Sequence, residues 1–237
     1  MSRMTKRVLQ DEHWQRIAPH LPEHPPSVKG GRPRADDREC LEGILWLLRT
    51  GARWQDIPVD LPSGSTCWRR LQEWSGKGIL EEIQAVLIEE LAELGKLDLE
   101  ELLADATFVR AKKGGIMSTA SANVSEQALL MPALNDIPLE LPQGTPVIAD
   151  KGHDSDQLRD EIEQAGFEPI IPHRSNRVRP SRNDGRRLRR YQHRWRVERT
   201  NAWLHCYRGL AVRWAYHSFM YVGLVYLSFI HMALQRF

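Results

Sequence analysis

The chain has 237 residues, 41% hydrophobic and 27% charged, with a formal net charge of +2. Such a composition belongs to one or two folded domains and excludes a disordered or fibrous chain. Three cysteines (Cys40, Cys67, Cys206) without CxxC spacing support neither a disulfide framework nor a zinc site, and fit a reducing cytosol.

The opening MSRMTKRVLQDEHWQRI is charged and has no apolar signal core. Residues 8–21 read as a short amphipathic helix stopped by Pro22, followed by a Pro/Gly-rich loop in which Lys29, Arg32 and Arg34 can meet phosphate. A helix is expected from about Asp36 to Thr50, with an acidic start, a closing Gly51 and a stripe of Leu41, Ile44, Leu45 and Leu48. QDIP suggests a short turn of helix. A third helix opens at Ser65, with Trp68, Leu71 and Trp74 inward and Thr66, Arg69, Arg70 and Glu73 outward. Three short helices of this kind resemble a helix-turn-helix module, an arrangement that many non-binding bundles share. Residues 79–95 form a periodic acidic helix suited to packing.

From Leu99 the pattern changes. LEELLAD rises into an apolar segment ending at Asp105, and PVIAD is a short strand ending at Asp150, followed by a turn and a helix. FEPIIPHR is another strand. Strand, acid, helix, strand argues for an α/β core with acids at its strand ends. Residues 174–199 then hold eleven arginines against Asp184 and Glu198, a net +9 that leaves the other 211 residues at −7. Such a block suggests a polyanionic partner, most simply nucleic acid; the plain alternatives are a solvated loop or pairing with the acidic helix 79–95. A long helix is expected over 188–206. At 100° per residue it places Tyr191, Arg194, Glu198 and His205 on one face. SFMYVGLVYLSFIHMALQ (218–235) reads as a buried C-terminal helix, too short for a membrane span.

Asp105, Asp150 and Glu198 can converge on divalent cations, because hard Mg²⁺ or Mn²⁺ prefers carboxylate oxygens. Each alone is more often a cap, a turn residue or an ion-pair partner. Their combination with the basic tract carries the argument.

Several separated motifs extend it: GGRPRADDRECLEGILWLLRTGARWQDIP, STCWRRLQEW, DATFVRAKKGG, VIADKGHDSD, IIPHRSNRVRP, and Tyr191, Arg194 and Glu198 at the spacing of a Tyr–Arg–Glu–Lys signature. In these the chain resembles transposases of bacterial insertion sequences of the IS5 type, in the DDE group with a ribonuclease-H-like fold. The resemblance implies an α/β, ribonuclease-H-like catalytic core over 96–237, preceded by an all-α helix-turn-helix-like domain over 1–95. It implies Asp105, Asp150 and Glu198 as catalytic and metal ligands for two Mg²⁺ or Mn²⁺ ions, and Tyr191, Arg194, His205, Arg208, Arg69, Arg70, Arg32 and Arg34 as DNA contacts. It further implies cleavage freeing a 3′-hydroxyl and strand transfer, acting on terminal repeats and target DNA as a homo-oligomer in the bacterial cytoplasm at the nucleoid, away from membranes.

Two departures stand out. His205 replaces the signature lysine, with Arg208 near enough in sequence to supply charge. Only residues 111–144 separate the first acid's strand from the second's, too few for the antiparallel meander and helix of such a core. The shortening reads as an internal deletion of about one to two strands, or as a compact variant in which IMSTASANV pairs with the Asp105 strand. The lack of an NG or DG turn favours deletion. With it comes the alternative of a catalytically inactive DNA-binding remnant.

Overall fold

The computed structural model describes residues 6–25, 30–31, 33–105, 110–111, 125–213, 215 and 217–237. In chain order the elements are α1 (Asp11–Ile17), α2 (Asp37–Thr50), α3 (Gly64–Gly76), α4 (Ile79–Glu93), β1 (Leu102–Leu103), β2 (Arg110–Ala111), α5 (Glu126–Asn135), β3 (Pro146–Ile148), α6 (Asp156–Gln164), β4 (Glu168–Ile170), α7 (Trp195–Cys206), α8 (Arg208–Ala211), β5 (Val212–Arg213) and α9 (Ser218–Leu234). Short 3₁₀ turns occupy 18–20, 54–56 and 151–153, and a longer one runs over 187–194. The chain forms two compact units: residues 1–87, 109–119 and 204–237, and residues 88–108 and 120–203.

The first unit is helical. α2 begins where the Asp36 side chain accepts the Glu39 N–H (2.9 Å) and ends at Gly51, whose φ of 69° is the left-handed closing conformation glycine adopts without strain. All four expected stripe residues, Leu41, Ile44, Leu45 and Leu48, are buried. They share a core with Leu71 and Trp74 of α3 and with Leu224, Leu227 and Ile230 of α9. α3 and α9 approach closely at Gly223, where a Cβ would fall 1.9 Å from the Ser75 Oγ. Buried Glu42 is satisfied by the Val8 and Leu9 amides, each at 2.9 Å, which pins the chain ahead of α1. No described helix is long and apolar enough to cross a membrane, and α9 is packed, as its composition suggested. The packing therefore groups 204–237 with the N-terminal helices and not with the rest of 96–237.

The second unit is built on a three-stranded parallel sheet in the order β1-β3-β4. Leu102 pairs with Val147 and Leu103 with Ile148; Pro146, Val147 and Ile148 pair with Glu168, Pro169 and Ile170. β3 is buried, as a central parallel strand should be. Pro169 sits on an edge strand, where its missing N–H is tolerated. α5 and α6 pack on this sheet through Leu130, Leu134, Leu158 and Ile162. A separate parallel pair joins β2 to β5 in the first unit. Residues 112–124, which include most of the segment bearing on the deletion, lie outside the described residues.

One polar pair inside the first unit sets a pH response. His231 Nδ1 meets the Tyr207 hydroxyl at 2.7 Å. Burial, with smaller help from the charges of Arg49 and His13, pushes His231 from 6.5 down to about 4. Its stabilising contribution is therefore complete above about pH 6.5 and is lost as pH falls towards 4. Melting curves at pH 7.5 and 4.5 should show the unit losing on the order of 1–3 kcal/mol, and His231→Phe should flatten that dependence.

Candidate functional site

The β1–β3 register brings two acids side by side. Two residues beyond the paired Leu103 and Ile148, Asp105 and Asp150 come level at the carboxyl ends of neighbouring parallel strands, where α/β sheets place their sites. Apolar Val147, Ile148 and Ala149 are fully buried, so the strand is anchored up to the residue before Asp150. Asp150 Oδ1 accepts the Gly152 N–H (2.9 Å) and meets His153 Nδ1 (2.8 Å), so this acid also caps the turn that follows it. Burial raises the Asp150 carboxyl, but the His153 hydrogen bond and charge, the Gly152 N–H and the charge of Arg194 outweigh it and leave it below its ordinary value.

Asp105 is held at both oxygens. Arg194 Nη2 donates to Oδ1 at 2.8 Å and Asn201 Nδ2 to Oδ2 at 3.0 Å. Arg194 Nη1 also donates to the Tyr191 hydroxyl at 3.1 Å, while its buried Nε has no partner among the described residues. Burial opposes the Arg194 charge, yet the hydrogen bonds to Tyr191 and Asp105 prevail and raise its pKa.

The expected continuous helix over 188–206 is corrected here. Residues 187–194 wind as 3₁₀ helix and α7 starts only at Trp195. At three residues per turn Tyr191 and Arg194 eclipse each other, which permits their hydrogen bond. Glu198 is exposed and makes no hydrogen bond or ion pair among the described residues. Among those residues no three His, Cys, Asp or Glu side chains stand together as a metal site. Two hard carboxylates side by side beside a guanidinium fit a divalent cation as donors; the third acid is not gathered with them.

The arginine block is largely occupied within its own unit. Arg177 and Arg179 bind Asp156, and Arg182 binds Asp160 and Glu163. Its partners thus include the acids of α6. Arg190 and Arg196 approach Glu101, together with His193 at 2.7 Å. Arg199 stacks between Trp195 and Trp203, 4.9 Å from each ring centroid. Arg186 and Arg189 form no side-chain ion pair among the described residues.

At the centre of this clasp Asp154, whose side chain is only 2% exposed, takes Arg159 Nη2 (3.0 Å), His173 Nδ1 (3.0 Å) and the Arg174 N–H (2.8 Å). Burial works against its charge, but these donors hold its pKa at about 2. Asp154, Glu101 and Asn201 were not singled out from sequence. The signal available was an acid inside the apolar run LDLEELLAD and a second acid four residues beyond Asp150.

The remaining predicted contacts scatter. Arg69 is exposed, and its Nε donates to the Ser65 carbonyl at 3.1 Å. Arg70, expected outward, is a correction: it is 6% exposed and bound to Asp37 (2.7 Å), Glu73 and the Ala35 carbonyl, because its position on α3 faces the start of α2. Trp68, expected inward, is instead 36% exposed. Arg34 pairs with Glu73 at 2.9 Å. His205 and Arg208 are exposed and belong to the first unit. Arg32 lies outside the described residues.

Residues 9–84 match the family described as "Putative transposase of IS4/5 family (DUF4096)", and residues 115–231 match "Transposase DDE domain". The "Insertion element IS402 uncharacterized 16.2 kDa protein" of Burkholderia cepacia is 35% identical over 116 residues, covering 47% of this chain and 79% of that protein. "Uncharacterized protein y4sN" of Sinorhizobium fredii is 39% identical over 104 residues, 44% and 76% of the respective chains. The "Putative transposase for insertion sequence element IS402" of Burkholderia cepacia is 37% identical over 99 residues, 39% of this chain and 43% of its own length. No solved structure matches. The protein is a transposase of the DDE class. Within that class it belongs to the IS4/5-type transposases of insertion elements.

Removing the Asp154 carboxylate should leave Arg159 buried and unpaired. Asp154→Ala should cost about 3–5 kcal/mol in urea unfolding and speed tryptic cleavage within 174–182. In the native chain this contribution is complete above about pH 4 and is lost as pH falls through about 2.

Proposed function

We propose that this chain cuts and joins the ends of its insertion element by metal-dependent phosphodiester chemistry, with Asp105 and Asp150 as the principal ligands and Glu198 as the third. The observation that carries the reading is the strand register that sets Asp105 level with Asp150 beside Arg194. Two like-charged carboxylates at one sheet end call for positive charge between them. Two Mg²⁺ or Mn²⁺ ions, when bound there, would polarise the attacking hydroxyl and stabilise the leaving oxygen. Asp150 is oriented for this by Gly152 and His153, both of which engage its Oδ1. Glu198, exposed on α7, is supported as third ligand by the signature spacing that it shares with Tyr191 and Arg194.

Tyr191 and Arg194 would fix the phosphate at the element end, while Arg186 and Arg189, which form no side-chain ion pair among the described residues, offer charge to the flanking backbone. Arg69, Arg34, His205 and Arg208 remain candidate DNA contacts on the first unit. The order β1-β3-β4, all parallel, is what the parallel half of a ribonuclease-H-like sheet requires, and supports that core. An element has two ends and each chain one such acid set, so a homo-oligomer acting on nucleoid DNA is the natural assembly.

The test is a labelled duplex carrying the element end, incubated with Mg²⁺ or Mn²⁺. The chain should nick it, and Asp150→Asn should lower the rate by about a hundredfold or more. Nicking that survives in Asp150→Asn would overturn the assignment. A gel shift without any nicking would identify a binding remnant instead.

A further inference from the structure

We propose that Arg194 is the resident counter-ion of the Asp105–Asp150 pair, and that a divalent cation displaces it towards a DNA phosphate. One guanidinium would then couple cation binding to capture of the element end. The inference rests on the metal-dependent reading above and concerns how its two ligands depend on each other.

Four observations carry it. Asp105 and Asp150 follow residues paired on neighbouring strands, so two like charges stand at one end of the sheet and a cation beside them is favourable. Arg194 supplies that charge: it bonds Asp105 at 2.8 Å, and its field acts on Asp150 as well. Arg194 and Asn201 each engage one oxygen of Asp105, so a metal ion bound there would share the carboxylate with a guanidinium whose positive charge opposes it. Finally, the guanidinium is incompletely satisfied. Its buried Nε lacks an acceptor among the described residues, which is costly where it stands and would be relieved by a phosphate oxygen.

The local backbone has room for the exchange. Arg194 closes eight residues of 3₁₀ helix, twice the usual run, and such stretches mark places where a chain can rewind. Arg194 is 21% and Asp105 18% exposed at the side chain, so both can be reached from solvent. A purely structural ion pair between sheet and helix would have the same bond but no reason to respond to metal.

The full chain would be titrated with Mn²⁺ by calorimetry, as wild type, Arg194→Met and Asp105→Asn, and its affinity for end DNA measured by fluorescence anisotropy with and without Ca²⁺. Arg194→Met should bind Mn²⁺ at least about fivefold more tightly. Ca²⁺ should raise wild-type DNA affinity at least about fivefold and leave that of Arg194→Met unchanged. By linkage, end DNA should raise the wild-type Mn²⁺ affinity by the same factor as Mn²⁺ raises DNA affinity, a check that needs no variant. Mn²⁺ binding that requires Asp105, yet is equal or weaker in Arg194→Met, would overturn the inference and leave the metal reading standing. So would wild-type Mn²⁺ and DNA affinities that ignore each other. Mn²⁺ binding indifferent to Asp105→Asn would defeat the metal reading, and this inference with it.

Discussion

Parallel pairing of Leu102–Leu103 with Val147–Ile148 imposes a charge problem that much of the second unit is arranged to solve. β3 is buried on both faces between β1 and β4, and its pairing with each sets the register. The same register then delivers Asp105 and Asp150 to one place. Arg194, Asn201, His153 and the Gly152 amide all spend hydrogen bonds on those two side chains. Apolar packing thus places the acids, and the polar groups around them decide what they can bind.

The arginine-rich tract follows the same logic at larger scale. A net +9 over 26 residues looks like a surface for nucleic acid, yet much of it is spent internally. Asp154 anchors the loop from below, α6 neutralises Arg177, Arg179 and Arg182, and Glu101 gathers His193, Arg190 and Arg196. Charge density in sequence therefore overstates the charge offered to DNA. Exposed pairs such as Arg182 with Asp160 hold the loop weakly and can be exchanged for phosphate, whereas the buried Arg159–Asp154 pair cannot be given up without loss of structure.

Much of the fold was legible because it rests on local rules. The Asp36 cap, Gly51 stop and apolar stripe define α2, and the PVIA run before an acid defines β3 and the position of Asp150. What escaped depends on distance in sequence or on small differences in winding. Arg70 reads as an outward residue until Asp37, 33 positions away, is seen to hold it inside. Period alone does not separate a 3₁₀ from an α segment over two or three turns, so the break at Trp195 was invisible. Asn201 and Glu101 matter through partners about ninety residues away or more. Family membership was carried by motif spacing, which survives such rearrangement.

The account depends most directly on the bond between Asp105 and Arg194. A double-mutant cycle on unfolding free energy, with Asp105→Asn, Arg194→Met and the pair, measures that bond in the metal-free chain. A coupling of about 1 kcal/mol or more is expected for a partly buried, charge-assisted pair. Additive effects, within about 0.3 kcal/mol, would mean that the guanidinium is not held by the strand-end acids, and would contradict the central claim.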